Sequence, residues 1–351
     1  MNTQGGSTRV SVALVGGGNI CQAFHVPCLT AAGAIIKYVV DPDPNALAQV
    51  RRLAPGVVAL RDIADLPKDA ECAIVCTPTL LHARHVRVLC ERGIHVLCEK
   101  PLACTRAEAD ALVEIARKNN VVLQVGYYRR FHPSAQRVHT ILRSGELGAP
   151  SRCLVLGGHI YNSRSVGPSL MDREVSGGGA LMDVGVHVID RLMSWFDALT
   201  LMQYLDDSEG GMEANAVVRL EGRLHGHVTP ITVLLSRTAD LGYQTSIRFE
   251  AAMVLCHLNV GHELTVVLRS VGLLGQECSP RMSIRIVEPR DTPSYFRDQW
   301  LEFVAQTAGQ PNRVSSLQDA VRTTALVEEC YRTRGKLALP WEACRMWNQP
   351  E

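Results

Sequence analysis

The sequence predicts an α/β fold, in which a parallel sheet covered by helices is followed by a region rich in antiparallel strands. Three observations lead to this prediction. Short apolar strands alternate with helical segments up to about residue 125. A glycine-rich turn follows the first of these strands. Over residues 199–287, strands follow one another without a helix between them. A chain of 351 residues is long enough for two domains with separate cores.

The composition argues against several classes of protein. With 46% hydrophobic and 20% charged residues the chain has the make-up of a globular protein, and its net charge of +1 offers nothing to nucleic acid or an anionic membrane. The twelve cysteines are scattered without zinc-site spacing, so we expect no metal site and reduced thiols. Neither a secretory signal nor a transmembrane run is visible. We therefore expect a cytoplasmic protein that binds a small molecule.

The first strand and the turn after it predict a dinucleotide site. Residues 9–15 (RVSVALV) form a short, β-branched strand that runs directly into Gly16 and Gly18, after which Asn19 and Ile20 open a helix. The first glycine allows the tight turn, and the second lets the backbone approach a pyrophosphate at the helix N-terminus. The third small position is Cys21, where Gly or Ala is usual. Such a turn alone could also be a plain connection between strand and helix.

The second strand strengthens the dinucleotide interpretation. Residues 34–40 (AIIKYVV) end at Asp41, which is 41 − 21 = 20 positions after the last residue of the turn. At that distance an acidic side chain accepts hydrogen bonds from the adenosine ribose hydroxyls. Because a carboxylate repels a 2′-phosphate, Asp41 favours NAD, with NADP as a possible cofactor. The alternative role for Asp41 is the N-cap of the next helix.

Further polar residues follow the later strands of the first half. Strands at residues 71–76 and 93–98 end in Thr77-Pro78 and Glu99-Lys100-Pro101, and the helix over residues 80–92 carries His82. Ligands bind at the carboxyl ends of the strands in a parallel sheet, so these residues should share one edge with the glycine turn. There Lys100 could bind a substrate hydroxyl and stabilise negative charge on its oxygen, whereas a solvated lysine is the alternative. The Lys100–Pro101 bond is a candidate cis peptide.

A second motif lies at residues 177–190 (GGGALMDVGVHVID). If residues 180–195 are helical, Asp183 and His187 are four positions apart and share one face, and Asp190 follows on nearly the same line. A histidine with a carboxylate one turn away suits a base that transfers protons and whose tautomer is held by its neighbour. A partly exposed helix with a polar stripe is the alternative.

Together these motifs resemble the Gfo/Idh/MocA oxidoreductase family, named for glucose–fructose oxidoreductase and inositol dehydrogenase, over about residues 9–335. The Glu-Lys-Pro triplet and the string from Gly177 to Asp190 are the specific features. The resemblance implies a Rossmann domain at residues 1–128, then an α+β domain at residues 129–351 with a large, open, mostly antiparallel sheet that commonly mediates homodimers or homotetramers. Departures from the family pattern are Cys21 and Thr79, where Asn is more usual after Thr-Pro.

The resemblance also implies roles for individual residues. The catalytic positions are Lys100, Asp183 and His187. The expected cofactor contacts are Gly16, Gly18, Asn19, Ile20, Asp41, Thr77, Pro78, His82, Glu99 and Lys100. The expected substrate contacts are Lys100, Arg130, His159, Asn162, Asp183 and His187, with Tyr161 and Arg164 as further candidates. Arg130 belongs to the linker at residues 126–133, whose arginine faces the active-site crevice in the family. An ordinary surface loop is the alternative for residues 159–173.

These observations predict an NAD(P)-dependent dehydrogenase acting on a secondary hydroxyl of a sugar, cyclitol or aminocyclitol, or reducing the corresponding ketone. His187 would be the general base, and Lys100 would polarise the oxygen. Two alternatives remain open. One is a redox-neutral glycosidase or epimerase that uses NAD without net turnover, and the other is a non-catalytic NAD-binding regulator.

Overall fold

The computed structural model describes residues 10–161 and 172–338, apart from residues 251, 258, 260, 262, 269, 272–276, 279–280, 286–289 and 315. The described residues form two compact units. One comprises those up to Tyr128 and those of Arg290–Gln318, and the other comprises those of Arg129–Pro289 and from Asp319 onward. The first unit is α/β and the second is built around a large mixed sheet, so the predicted fold class is confirmed.

The first unit contains a six-stranded parallel sheet with the order β3-β2-β1-β4-β5-β6. Its strands are β1 (Ser11–Val15), β2 (Ile35–Val40), β3 (Val58–Leu60), β4 (Cys72–Val75), β5 (His95–Cys98) and β6 (Leu123–Val125). All four residues of β4 are buried, as expected for a strand covered on both faces, and this is why it reads as an uninterrupted apolar run. The strand order reverses between β1 and β4, which is where ligands bind in open parallel sheets.

Helices connect these strands. After the glycine turn the chain makes a π-helical turn at Cys21–His25 and continues as α1 (Val26–Ala31). The other connections contain α2 (Pro44–Leu53), α3 (Thr79–Glu91) and α4 (Arg106–Lys118). The Thr105 hydroxyl accepts from the Glu108 N–H, and the Glu108 carboxylate accepts from the Thr105 N–H, so α4 begins with a capping box.

The second unit contains a nine-stranded sheet with the order β16-β13-β12-β11-β7-β10-β9-β8-β17. Its strands are β7 (Arg152–Gly158), β8 (Ala198–Asp206), β9 (Asn215–Leu224), β10 (His227–Ser236), β11 (Gln244–Arg248), β12 (Ala252–His257), β13 (Glu263–Leu268), β16 (Arg281–Arg285) and β17 (Gly335–Lys336). A separate pair is formed by β14 (Ser270–Val271) and β15 (Glu277–Cys278). The sheet is antiparallel except where β7 meets β10 and β8 meets β17.

In the described part of the second unit, three α-helices precede β8. They are α5 (Pro133–Ser144), α6 (Arg173–Ser176) and α7 (Val186–Trp195). The sequence predicts one helix over residues 180–195, but the structure forms a π-helical turn at Leu181–Gly185 before α7 begins. The N–H of Val186 donates to the carbonyl of Leu181, five residues back, so this turn contains one residue more than an α-helical turn.

Two further α-helices among the described residues are α8 (Thr292–Thr307) and α9 (Leu317–Arg332). The sequence predicts residues 129–351 as one domain, whereas the structure returns residues 290–318 to the first unit. The reason is apolar packing, since Phe296, Trp300 and Phe303 of α8 belong to the same buried core as β1 and β2. Within the described part of the chain, no helix is long and apolar enough to cross a membrane.

Candidate active site

The glycine turn after β1 has the shape of a dinucleotide cradle. Gly16 has a φ of +98°, and a Cβ on it would lie 2.7 Å from the carbonyl carbon of Cys76 and 2.8 Å from the nitrogen of Thr77. Only glycine fits there. Gly18 is exposed, and a Cβ on it would meet nothing within 4 Å. The backbone at Gly18 therefore opens onto free space at the start of a helix, as binding of a pyrophosphate requires.

Asp41 ties the end of β2 to this turn. One carboxylate oxygen accepts the N–H of Gly17 at 2.7 Å, and the other accepts the N–H of Asp43 at 2.8 Å. The N-cap of α2 is Asp43, whose side chain accepts from the N–H of Asn45. The alternative role for Asp41, a helix cap, is therefore wrong. Its carboxylate stays half-exposed beside the glycine turn, and its contact with a ribose stays a prediction.

His82 of α3 holds two strand-end loops together. Its ring nitrogens lie 2.7 Å from the carbonyl oxygen of Pro101 and 2.8 Å from that of Thr77, and the side chain is 1% exposed. Burial lowers the pKa of His82, although the two carbonyl groups act in the opposite direction. Because both nitrogens face backbone carbonyls, His82 positions the loops that follow β4 and β5, and its contact with a cofactor stays a prediction. The Thr77 hydroxyl meets Nδ1 of His85 at 3.1 Å.

Glu99 and Lys100 follow β5, and the Lys100–Pro101 bond is cis. Glu99 is buried, with one carboxylate oxygen 2.7 Å from Nε2 of His25 and the other accepting the N–H of Lys100 at 3.2 Å. Burial alone would raise the pKa of Glu99, but the hydrogen bond from His25 lowers it below its usual value. The sequence does not identify His25 as a site residue. The one feature that could have indicated it is the position of a histidine inside an apolar helical segment.

Asp183 lies in the π-helical turn of the second unit, and His187 lies in the first turn of α7. His187 is 7% exposed, and the side chain of Asp183 is 18% exposed. The hydroxyl of Tyr161 donates to Oδ2 of Asp183, and Nη2 of Arg237 lies 3.8 Å from the same oxygen. Single π-helical turns inside helices are frequent at functional sites. A carboxylate thus sits one turn before a mostly buried histidine, held by two groups from other segments.

Glu213 fixes the start of this helix, a role that the sequence does not reveal. A single oxygen of its carboxylate accepts the N–H of Gly179 at 2.9 Å, the N–H of Leu181 at 3.0 Å and the hydroxyl of Tyr331 at 2.7 Å. A Cβ on Gly179 would lie 1.9 Å from the carbonyl oxygen of Glu213, so only glycine allows this approach. Burial raises the pKa of Glu213. No local sequence pattern signals a cap 34 residues away.

Arg130 is part of a buried ion cluster. Its guanidinium contacts both oxygens of Asp190 at 2.7 Å and Oδ2 of Asp319 at 2.9 Å, and the residue is 6% exposed. Burial alone would lower the pKa of Arg130, but the two carboxylates raise it above its usual value. The buried charge holds α7 to α9. The contact of Arg130 with substrate stays a prediction. Asp190 is engaged in the same cluster.

The remaining predicted substrate contacts follow β7. Nδ1 of the half-buried His159 meets the hydroxyl of Tyr243, and its ring lies 4.5 Å from that of Tyr161. Asn162 and Arg164 lie outside the described residues. Among the residues that the structure describes, no group of three or more His, Cys, Asp or Glu side chains could hold a metal ion.

Comparisons with known proteins bear on the fold and on the cofactor. The family model described as "Oxidoreductase family, NAD-binding Rossmann fold" matches residues 10–127. The rhizopine catabolism protein MocA of Rhizobium meliloti is 30% identical over 190 residues, which are 54% of this chain and 57% of that protein. The chain spans about half the length of the curated relatives it matches.

Solved structures match over nearly the whole chain. A 3-ketoreductase from Actinomadura kijaniata, solved with NADP and TDP-benzene, has a TM-score of 0.77 at 17% identity, over 94% of this chain and 99% of that chain. Levoglucosan dehydrogenase, solved with NADH and levoglucosan, has a TM-score of 0.76 at 18% identity, over 92% and 95%. At these identities the likeness shows a shared fold. The family match shows that residues 10–127 carry the NAD(P)-binding Rossmann fold of the Gfo/Idh/MocA oxidoreductases, and the named relatives support the same assignment.

Proposed function

We propose that the protein is an NAD(P)-dependent dehydrogenase that oxidises a secondary hydroxyl of a sugar, cyclitol or aminocyclitol, or reduces the corresponding ketone. The observation that carries this proposal is the helix start at Leu181–Gly185, which sets the held carboxylate of Asp183 one turn before His187. A relative named for rhizopine catabolism and a structural neighbour named levoglucosan dehydrogenase support a polyol or sugar as substrate.

The first unit would hold the dinucleotide. The turn at Gly16–Gly18 would take the pyrophosphate and Asp41 the adenosine ribose, so we favour NAD over NADP. Thr77, Pro78 and the Glu99-Lys100 pair would line the nicotinamide half. When bound, the cofactor accepts or supplies the hydride at the carbinol carbon.

The chain's own residues would then transfer the proton of the substrate hydroxyl. His187 removes the hydroxyl proton, and Asp183 orients the imidazole and balances the charge of the imidazolium. Lys100 stabilises negative charge on the same oxygen, which makes the alcohol more acidic. Reduction of a ketone uses the same groups in reverse.

We also propose that the second unit forms a homodimer or homotetramer through its sheet. Along the sheet, buried residues alternate with half-exposed apolar ones, among them Leu154, Leu234, Leu255 and Val267. A sheet face with half-exposed apolar side chains on several neighbouring strands is typical of a surface that packs against another subunit. Light scattering should give a mass of two or four chains, and a monomer at micromolar concentration would contradict the proposal.

The proposal is tested by an absorbance screen for reduced nicotinamide. Purified protein is mixed with NAD or NADP separately and with inositols, aminocyclitols, hexoses and nucleotide sugars. We expect turnover with NAD and one group of substrates. Lys100→Met should lower turnover by roughly 100- to 1000-fold and leave NAD binding intact, as loss of an oxyanion-stabilising donor does. Lys118→Met, at an exposed lysine of α4, is the matched control and should retain full turnover.

The same screen distinguishes the alternatives. Tightly bound NAD with conversion of substrate but no net absorbance change would favour a redox-neutral glycosidase or epimerase. Bound NAD without conversion of any substrate would favour a regulator. Full turnover in Lys100→Met would refute the role given to Lys100.

A further inference from the structure

Tyr161 contacts the carboxylate that the proposed mechanism needs. We propose that Tyr161 is a positioning residue that acts through Asp183, with Arg237 as its partner. This inference rests on the proposed function, because it assumes that Asp183 orients His187 during proton transfer. It adds two residues to the Asp183–His187 pair, Tyr161 from the segment after β7 and Arg237 from the position directly after β10.

The contact is built from several sides. The Tyr161 hydroxyl donates to Oδ2 of Asp183, and Nη2 of Arg237 lies 3.8 Å from that oxygen. The guanidinium carbon of Arg237 lies 4.9 Å from the centre of the Tyr161 ring. The N–H of Tyr161 donates to the carbonyl oxygen of Arg237 at 2.9 Å. Tyr161 and Arg237 are thus fixed to each other by a backbone hydrogen bond and by a cation–π contact, independently of their contacts with Asp183.

The ring of Tyr161 is held independently of its hydroxyl. The His159 ring packs on it at 4.5 Å, and Arg237 contributes the cation–π contact. Removing only the hydroxyl therefore leaves the packing in place. This makes Tyr161→Phe a clean probe of the hydrogen bond.

The chemistry makes Tyr161 a donor. Burial and the neighbouring Asp183 carboxylate raise the pKa of Tyr161, so the phenol keeps its proton and cannot serve as the base. A phenol that donates to one carboxylate oxygen fixes the rotation of the carboxylate about its Cβ–Cγ bond. The other oxygen of Asp183 then points in one direction, which is what a group that orients a histidine requires.

The test is a double-mutant cycle measured on the full chain. A hydrogen bond to a charged group corresponds to about a 10- to 100-fold effect, so Tyr161→Phe should lower kcat by roughly that factor with KM changed less than about threefold. In the background of Asp183→Asn, the same substitution should have almost no further effect on kcat. Tyr243→Phe is the matched control, because it also removes a phenol hydroxyl, one that contacts His159, and its effect should multiply with that of Asp183→Asn.

A second cycle measures urea unfolding of the wild type, Tyr161→Phe, Asp183→Asn and the double variant, and it needs no activity. We expect the two substitutions to be coupled in stability as well. Independent effects of Tyr161→Phe and Asp183→Asn on kcat would overturn the positioning role, and independent effects on stability would overturn the contact itself. A wild-type protein that converts no substrate would overturn the proposed function, and this outcome is distinct from an active Tyr161→Phe variant.

Discussion

The two outer glycines of the turn after β1 should respond in opposite ways to substitution by alanine. Gly16 has a φ of +98°, and its Cβ would lie 2.7–2.8 Å from backbone atoms of Cys76 and Thr77. Gly18 has an ordinary φ, and its Cβ would meet nothing within 4 Å. We therefore expect Gly16→Ala to damage the fold and Gly18→Ala to damage only cofactor binding.

The size of the effect at Gly16 follows from two contributions. Left-handed backbone costs a non-glycine residue about 1–2 kcal/mol. Forcing a methyl group against backbone that cannot give way adds about 1–3 kcal/mol. Together they lower the free energy of unfolding by about 2–5 kcal/mol, or roughly 4–20 °C in Tm for a unit of this size. Alanine at Gly18 should leave stability unchanged or raise it by up to about 1 kcal/mol.

The assay pairs thermal unfolding with an NAD titration for both variants. Gly18→Ala should unfold like the wild type yet bind NAD at least about tenfold more weakly, because its methyl group occupies the space that a pyrophosphate would enter. A Gly16→Ala variant as stable as the wild type would refute the argument from backbone geometry. A Gly18→Ala variant with unchanged affinity for NAD would refute the placement of the pyrophosphate.

Three further predictions concern charged and titrating groups. Arg130→Met should lower the free energy of urea unfolding by about 3–5 kcal/mol by leaving Asp190 buried without its guanidinium. The matched Arg143→Met, in an exposed ion pair, should cost at most about 1 kcal/mol, and equal losses would contradict the argument. Because burial lowers the pKa of His82 in the folded state, the unfolded state takes up its proton first, and stability should fall as the pH drops below about 6.5. His82→Gln should reduce this slope, by at most about 1.4 kcal/mol per pH unit in unfolding measured from pH 7 to 5.5, and an unchanged slope would count against it. Asp41→Ser should shift the ratio of kcat/KM for NAD over NADP toward NADP, and an unchanged ratio in steady-state kinetics would remove Asp41 from cofactor selection.

The first unit could be predicted largely from local sequence. The apolar runs, the glycine turn and the capping box at Thr105 are each specified within a few residues, because hydrophobic period and turn chemistry act over short distances. The same holds for the strands of the second sheet. The π-helical turn at Leu181–Gly185 escaped prediction because one additional residue in a helix leaves the apolar pattern almost unchanged.

The support around the site could not be predicted in this way. Glu99 contacts a histidine 74 positions away, Glu213 caps a helix start 34 positions away, and Arg130 meets Asp319 at a separation of 189. Which charge pairs with which is decided by tertiary packing, and a family motif does not record it. For this reason the sequence indicates Arg130 as a candidate substrate contact but does not reveal the buried ion cluster around it.

The return of α8 to the first unit has a consequence for how the chain is made. Phe296 of α8 stacks on Phe24 and on Tyr128, at ring distances of 5.0 and 4.5 Å, and it completes the core beside β1. On the ribosome, all six strands of the first sheet emerge long before α8 does. Domains generally fold as units during synthesis, N-terminal ones first. Here the apolar surface that α8 covers stays open while strands β7 to β16 are translated, so we expect the nascent cofactor-binding unit to expose apolar surface, of the kind that chaperones bind, until α8 has emerged.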